Sequence, residues 1–157
     1  MKAFVILIAA ASLAVAVPAA AHQYKVGDLT IDHPWSRPAA SGMNGAGYLT
    51  VTNTGAQPDV LVAVESPAAE KVAIHHGVMA GGVMSMKALP NGMPIPAGGA
   101  ATFAPGGNHL MMVRLKSALK AGDKVPATLV FQRAGRVKVE FAVQASPPAP
   151  MPGMPMH

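Results

Sequence analysis

The most regular stretch of the chain is Arg136-Val-Lys-Val-Glu-Phe-Ala-Val143, where Val137, Val139, Phe141 and Val143 alternate with Arg136, Lys138, Glu140 and Ala142. Residues two apart share one face of an extended chain, so this reads as a half-buried antiparallel strand. Ala134-Gly135 supplies a tight turn back to Leu129-Val130-Phe131, because glycine tolerates positive φ. Shorter apolar runs predict further strands over residues 30–31, 47–53, 60–65, 71–75, 83–89, 101–103, 110–115 and 127–132. Asn53-Thr54-Gly55, Asn91-Gly92, Pro105-Gly106-Gly107 and Ala121-Gly122-Asp123 punctuate them as turns. Helical periodicity is absent from every long stretch, and only residues 117–120 read as a single helical turn. Many short strands divided by Gly, Pro and Asn imply an all-β sandwich or barrel.

The two ends depart from this pattern. Met1-Lys2 followed by an uncharged apolar run to Val17 and then Pro18-Ala19-Ala20-Ala21 has the layout of a secretory signal peptide. The run is shorter than the roughly 20 residues a membrane-spanning helix needs, and no later segment approaches that length. Export to the periplasm with cleavage after Ala21 is therefore expected, leaving one soluble domain over residues 22–144. Beyond it, residues 145–157 contain Pro147, Pro148, Pro150, Pro152 and Pro155 with no charged side chain. That composition cannot build a core and predicts a disordered, partly polyproline-like tail.

Composition narrows the function. The chain has no cysteine, which excludes disulfide support, thiol–disulfide exchange and the thiolate that a blue-copper centre requires. Its +5 formal charge comes from scattered Lys and Arg, and one Trp with two Tyr offers little for bases to stack on. Nucleic-acid binding is not indicated, although the charge suits an acidic partner. Methionine is the unusual component, eleven in all. Several lie beside Gly, Pro or His, where there is little core for a flexible thioether to fill.

The chemistry-bearing residues gather between Ile74 and Val113. In 71–75 the apolar Val72 and Ile74 point one way, so His75 points away from the core with Lys71 and Ala73. His109 and Met111 share a face by the same rule, as do Met84 and Met86. Met112 falls on the core side and His76 opposite His75. Two imidazoles and one or more thioethers can thus converge from neighbouring strands and a loop. Neutral sulfur donors favour Cu(I), whereas zinc sites generally recruit Cys, His or carboxylate. Residues 71–119 contain no Asp or Glu, which argues against calcium or magnesium.

His75, Met86 and the His109-Leu110-Met111 triplet resemble the metal-binding motif of the periplasmic copper chaperones of the PCuAC family. Leu29-Thr-Ile-Asp-His-Pro-Trp-Ser-Arg37, Gly47-Tyr-Leu-Thr-Val-Thr-Asn53 and Pro105-Gly-Gly-Asn-His-Leu-Met111 are similar to that family's other recurrent stretches. The resemblance implies a cupredoxin-like Greek-key β-sandwich or barrel holding Cu(I) through His75, Met86, His109 and Met111. It also implies delivery to a copper-accepting protein, a cytochrome oxidase subunit or another copper chaperone. The span between Met86 and His109 is one residue longer than in the family pattern, which leaves Met84 open as a donor beside Met86.

Two further groups of donors lie at the ends. Met151, Met154, Met156 and His157 could wrap an ion, with thioethers suited to Cu(I) and His157 to Cu(II). His22 at the expected mature N-terminus could chelate Cu(II) through amine and imidazole. His33, in Asp32-His33-Pro34-Trp35, reads as part of a structural turn. The expected protein is a monomeric copper carrier, not an enzyme. Copper storage or resistance is the alternative, and an oxygenase built on His22 lacks an obvious set of further imidazoles.

Overall fold

The computed structural model describes residues 23–145. The expected signal peptide, His22, and the tail with Met151, Met154, Met156 and His157 lie outside the described residues.

Eleven strands and no helix make up the described chain: β1 Gln23–Val26, β2 Leu29–Ser36, β3 Gly45–Asn53, β4 Asp59–Glu65, β5 Ala69–Ala80, β6 Val83–Ala88, β7 Met93–Ile95, β8 Ala100–Phe103, β9 His109–Leu115, β10 Lys124–Phe131 and β11 Gly135–Val143. Seven of them follow one another as β2-β11-β10-β4-β5-β9-β3, and pairing of β3 with β2 closes the barrel. Antiparallel ladders predominate, and β11 meets β2 in parallel through Ala142↔Trp35 and Val143↔Ser36. The remaining strands β1, β6, β7 and β8 pair with β2, β5, β4 and β3. Closure leaves the seven barrel strands without an open edge, and among the described residues only the appended β1, β6, β7 and β8 present one.

The alternating pattern of β11 decides which way the wall faces. Val139, Phe141 and Val143 are buried, while Lys138 and Glu140 are exposed. Inside they meet Ile31, Val51, Leu61, Ile95, Leu110, Met112 and Leu129, each at 1% exposure or less. Gly47 on β3 is what lets Phe141 reach the centre. A Cβ there would stand 3.0 Å from the Phe141 ring and 3.1 Å from the Met112 methyl.

Buried polar groups tie down the turns. Asp59 accepts from the backbone N–H groups of Val60, Arg133 and Ala134 at 2.8, 2.9 and 3.0 Å, locking the β10–β11 hairpin to the start of β4. Asn53 Nδ2 donates to Gln57 O at 2.8 Å, and its Oδ1 accepts from Gly55 N–H at 2.9 Å. A carboxylate or amide so satisfied costs little to bury.

Two sequence expectations change. Residues 117–120 form no helical turn. Leu119 instead exchanges backbone hydrogen bonds with Ala39 at 2.8 and 3.1 Å and is buried. Burying Leu119 outweighs a single turn, which is costly to nucleate. His33 lies not in a turn between elements but in a register shift within β2, at φ 47°. Pro34 follows it, lacks an N–H and so interrupts the β2–β3 ladder there.

Phe141→Ala should cost about 3–5 kcal/mol, as expected for truncating a fully buried aromatic. Met112→Leu, which conserves volume, should cost under about 1.5 kcal/mol. Denaturant unfolding of the two variants checks this ordering.

Candidate metal centre

The centre begins with one ladder. β5 and β9 pair through Val72↔Met112, Ala73↔Met111, Ile74↔Leu110 and His75↔His109. Ile74, Leu110 and Met112 are buried in the barrel, so alternation turns Ala73, His75, His109 and Met111 to the other face. His75 and His109 stand directly opposite, with ring centroids 5.1 Å apart and planes at 72°. Ala73 is the partner of Met111.

His75 also belongs to a second ladder, because β5 runs on past it. Residues 75–80 pair with β6 through His75↔Ala88, Gly77↔Met86 and Met79↔Met84. The sequence ended this strand at residue 75. In the structure the strand leaves the barrel wall there and continues as a hairpin whose second strand is exposed throughout. Two residues beyond His75 on the same face, Met86 therefore lies across from Gly77. Met86 is 47% exposed.

The loop at 104–108 covers the other side. Its Ala104 N–H donates to Asn108 O at 3.0 Å, and Gly107 N–H donates to Ala104 O at 3.0 Å. Gly107 O also accepts a long 3.4 Å bond from His109 Nδ1, which leaves Nε2 free. Gly77 makes the approach possible, since a Cβ there would stand 2.8 Å from Gly107 O. Asn108 is clamped from both sides: His76 Nδ1 donates to its Oδ1 at 2.6 Å, and its Nδ2 donates to Thr102 O at 3.1 Å. His76 thus supports the loop before His109, on the opposite face from His75. Covered in this way, His109 is only 7% exposed although it points out of the barrel.

Met86, His109 and Met111 line one concavity of about 360 Å³ together with Arg37, Asn44 and Tyr48. Asn44 Nδ2 lies 3.8 Å from Met111 Sδ, and Tyr48 is braced by Trp35 at 4.8 Å between ring centroids. Nothing in the strand pattern marked Asn44 or Asn108, because their partners are 67 and 32 residues away in the chain.

One of the donors is incompletely satisfied. His75 Nδ1 is buried without a hydrogen-bond partner, an arrangement that costs about 1–3 kcal/mol unless something fills it. Among the described residues, no three His, Cys, Asp or Glu side chains gather around a common point. A cation here would have to take thioether as well as imidazole donors, and such a set favours a soft monovalent ion.

Comparison with known proteins agrees with this geometry. The family described as "Putative lipoprotein LpqE-like" matches residues 29–143. The apo PCuAC domain from PmoF1 superposes with a TM-score of 0.67 at 32% identity, covering 80% of this chain and all of that one. The chain belongs to the LpqE-like family of PCuAC domains. A copper-bound PCuAC domain from PmoF2 superposes equally well, at 31% identity over 80% of this chain and 99% of that domain. The Cu(I) form of DR1885 from Deinococcus radiodurans gives a TM-score of 0.59 at 30% identity, over 81% and 83% of the two chains. In sequence, "Putative lipoprotein Lxx21020" of Leifsonia xyli subsp. xyli is 35% identical over 128 residues, 80% of this chain and 76% of that protein. PCuAC neighbours share the cupredoxin-like fold, as the sequence resemblance implied.

Burial holds the His75 pKa below the ordinary histidine value, and the neighbouring His109 lowers it further. Below about pH 6.5 the unfolded chain binds a proton that the folded His75 resists, so the metal-free PCuAC domain loses stability as pH falls through that window. His75→Gln should flatten this fall in the urea midpoint, and an unaltered pH profile would assign it to another group.

Proposed function

We propose that this protein is an exported copper chaperone that holds one Cu(I) through His75, Met86, His109 and Met111 and passes it to a copper enzyme such as cytochrome oxidase. The observation that carries the reading is the His75↔His109 pair with a buried, unpartnered imidazole nitrogen, flanked on its own face by Met86 and Met111. Two imidazoles and two thioethers add no charge, suit a soft monovalent ion and exchange it without moving a proton. Relatives with the same fold carry copper in their described structures, one of them as Cu(I).

In this reading residues 22–144 form the copper-binding domain and act in the periplasm after cleavage at Ala21. Met86 is the chosen donor on β6, because it stands one register step from His75 while Met84 stands two. Its exposure favours hand-off over storage, since an incoming ligand can reach a half-exposed thioether without unfolding the barrel. The protein carries out no covalent chemistry. Its part is to hold His75 opposite His109 and to orient His109 from the loop.

Met86→Leu and Met111→Leu preserve volume and should fold normally, at a cost under about 1.5 kcal/mol each. Together they should weaken Cu(I) by more than about 100-fold, since losing even an outer-shell partner costs 10–100-fold. Cu(II) should be affected less, because imidazole is retained. Titration against a competing Cu(I) chelator reads both, and unchanged Cu(I) affinity in the double variant removes the ligand assignment.

The tail donors Met151, Met154, Met156 and His157 serve in this reading as an auxiliary arm that takes Cu(I), or Cu(II) at His157. His22 is a further Cu(II) candidate. A short flexible tether gives such an arm a roughly millimolar effective concentration at the domain. Ending the chain at Ala145 should lower copper stoichiometry and slow transfer to an acceptor while leaving the tight Cu(I) site intact. Equal stoichiometry and rate in the two forms would leave the tail without a role in copper handling.

A further inference from the structure

The β5–β6 hairpin carries Met79, Val83, Met84 and Met86 in the open, and elsewhere among the described residues only Met43 and Val62 are large apolar side chains so exposed. Their register sorts them. Met79 pairs with Met84, and Gly77 with Met86, on the face that His75 shares. Val78, Ala80, Val83 and Ser85 alternate onto the other face. All three thioethers of the hairpin therefore lie on the face of His75, with Ala88 beside it, whereas Val78, Ala80 and Val83 lie on the back with Ser85, His76 and Lys87. No Asp, Glu, Lys or Arg occurs from Val72 through Met86.

Directly opposed side chains on such a ladder have Cβ atoms about 4.5–5.5 Å apart, within reach of a common ion for two flexible thioethers. Each two-residue step along the strand is about 6.7 Å. Met79 and Met84 at the tip, then Met86, then His75 form an unbroken series of soft donors at that spacing. All three thioethers are exposed, Met79 at 64%, Met84 at 39% and Met86 at 47%, and the series ends on the buried Nδ1 of His75.

We propose that Met79 and Met84 form an outer bis-thioether site for a soft monovalent metal ion, through which Cu(I) enters and leaves the inner centre. This rests on the Cu(I) reading of that centre. Transfer is ligand exchange: bonds from copper to the Met79 and Met84 sulfurs break as bonds to Met86 and His75 form. No electron or proton moves, because thioethers are neutral and copper stays monovalent throughout. A surface built only for apolar docking would give no reason for all three thioethers to share the face of His75 while Val78 and Val83 take the other.

Ag(I), a soft ion with no redox chemistry under these conditions, serves as the probe. It is titrated into the full exported chain labelled at the methionine methyls, with resonances assigned through single Met→Leu variants. The first equivalent should move the Met86 and Met111 methyls, and further Ag(I) should move those of Met79 and Met84 together. Met79→Leu/Met84→Leu should lose this second response, keep the affinity of the first site, and slow Cu(I) release to a chelator by about tenfold. Stationary Met79 and Met84 methyls, or an unchanged release rate in the leucine variant, overturn the proposal. Slowing in Met79→Ser/Met84→Ser but not in the leucine variant also overturns it, in favour of an apolar docking face. If Met86 and Met111 stay fixed while Met79 and Met84 respond, the outer site stands and the inner assignment fails.

Discussion

Everything at the centre follows from the register of β5 against β9. Val72, Ile74, Leu110 and Met112 have to face the barrel interior, and in satisfying that demand they set His75 opposite His109. A slip of one residue would bury the imidazoles and expose Leu110 and Met112, at a cost of about 1.5–3 kcal/mol for each large apolar side chain brought into water. The His75–His109 pair is therefore positioned by residues on the opposite face of its two strands. The same core also restricts movement, since close-packed interiors resist small displacements.

The half of the centre that lies on the barrel wall was legible in the sequence. Alternation around Val72 and Ile74 turned His75 outward, and the His109-Leu110-Met111 triplet put two donors on one face of a strand. What alternation cannot supply is which strands adjoin. The pairing of β5 with β9 joins residues 34 apart in the case of His75 and His109, and barrel closure through β2 and β11 joins opposite ends of the domain. Both were carried by resemblance to the PCuAC family and not by residue pattern. The extension of β5 to Ala80 was hidden for a local reason. Gly77 looks like a strand breaker, yet it is there because the Gly107 backbone fills the space of its missing side chain. Short β7 and the bridge at Leu119 escaped because each is held by long-range burial, with Ile95 and Leu119 in the core.

These two halves differ in how firmly they are held, and that difference is what the proposed carrier would need. His109 sits on a wall strand, covered by a loop that Asn108 pins to both Thr102 and His76. Met86 sits on a hairpin strand with no buried residue. Local opening is easiest where few apolar contacts and many exposed backbone bonds hold an element. The β6 side of the centre can therefore yield while the β9 side stays in place. A site closed on all sides by the barrel would bind more rigidly but release only on unfolding, at the cost of the whole core. One that lay entirely on the hairpin would lose the preorganisation that the wall provides. In the proposed reading, splitting the donors between wall and hairpin gives a fixed imidazole pair and a movable thioether, and an acceptor's ligand would displace Met86 before the histidines.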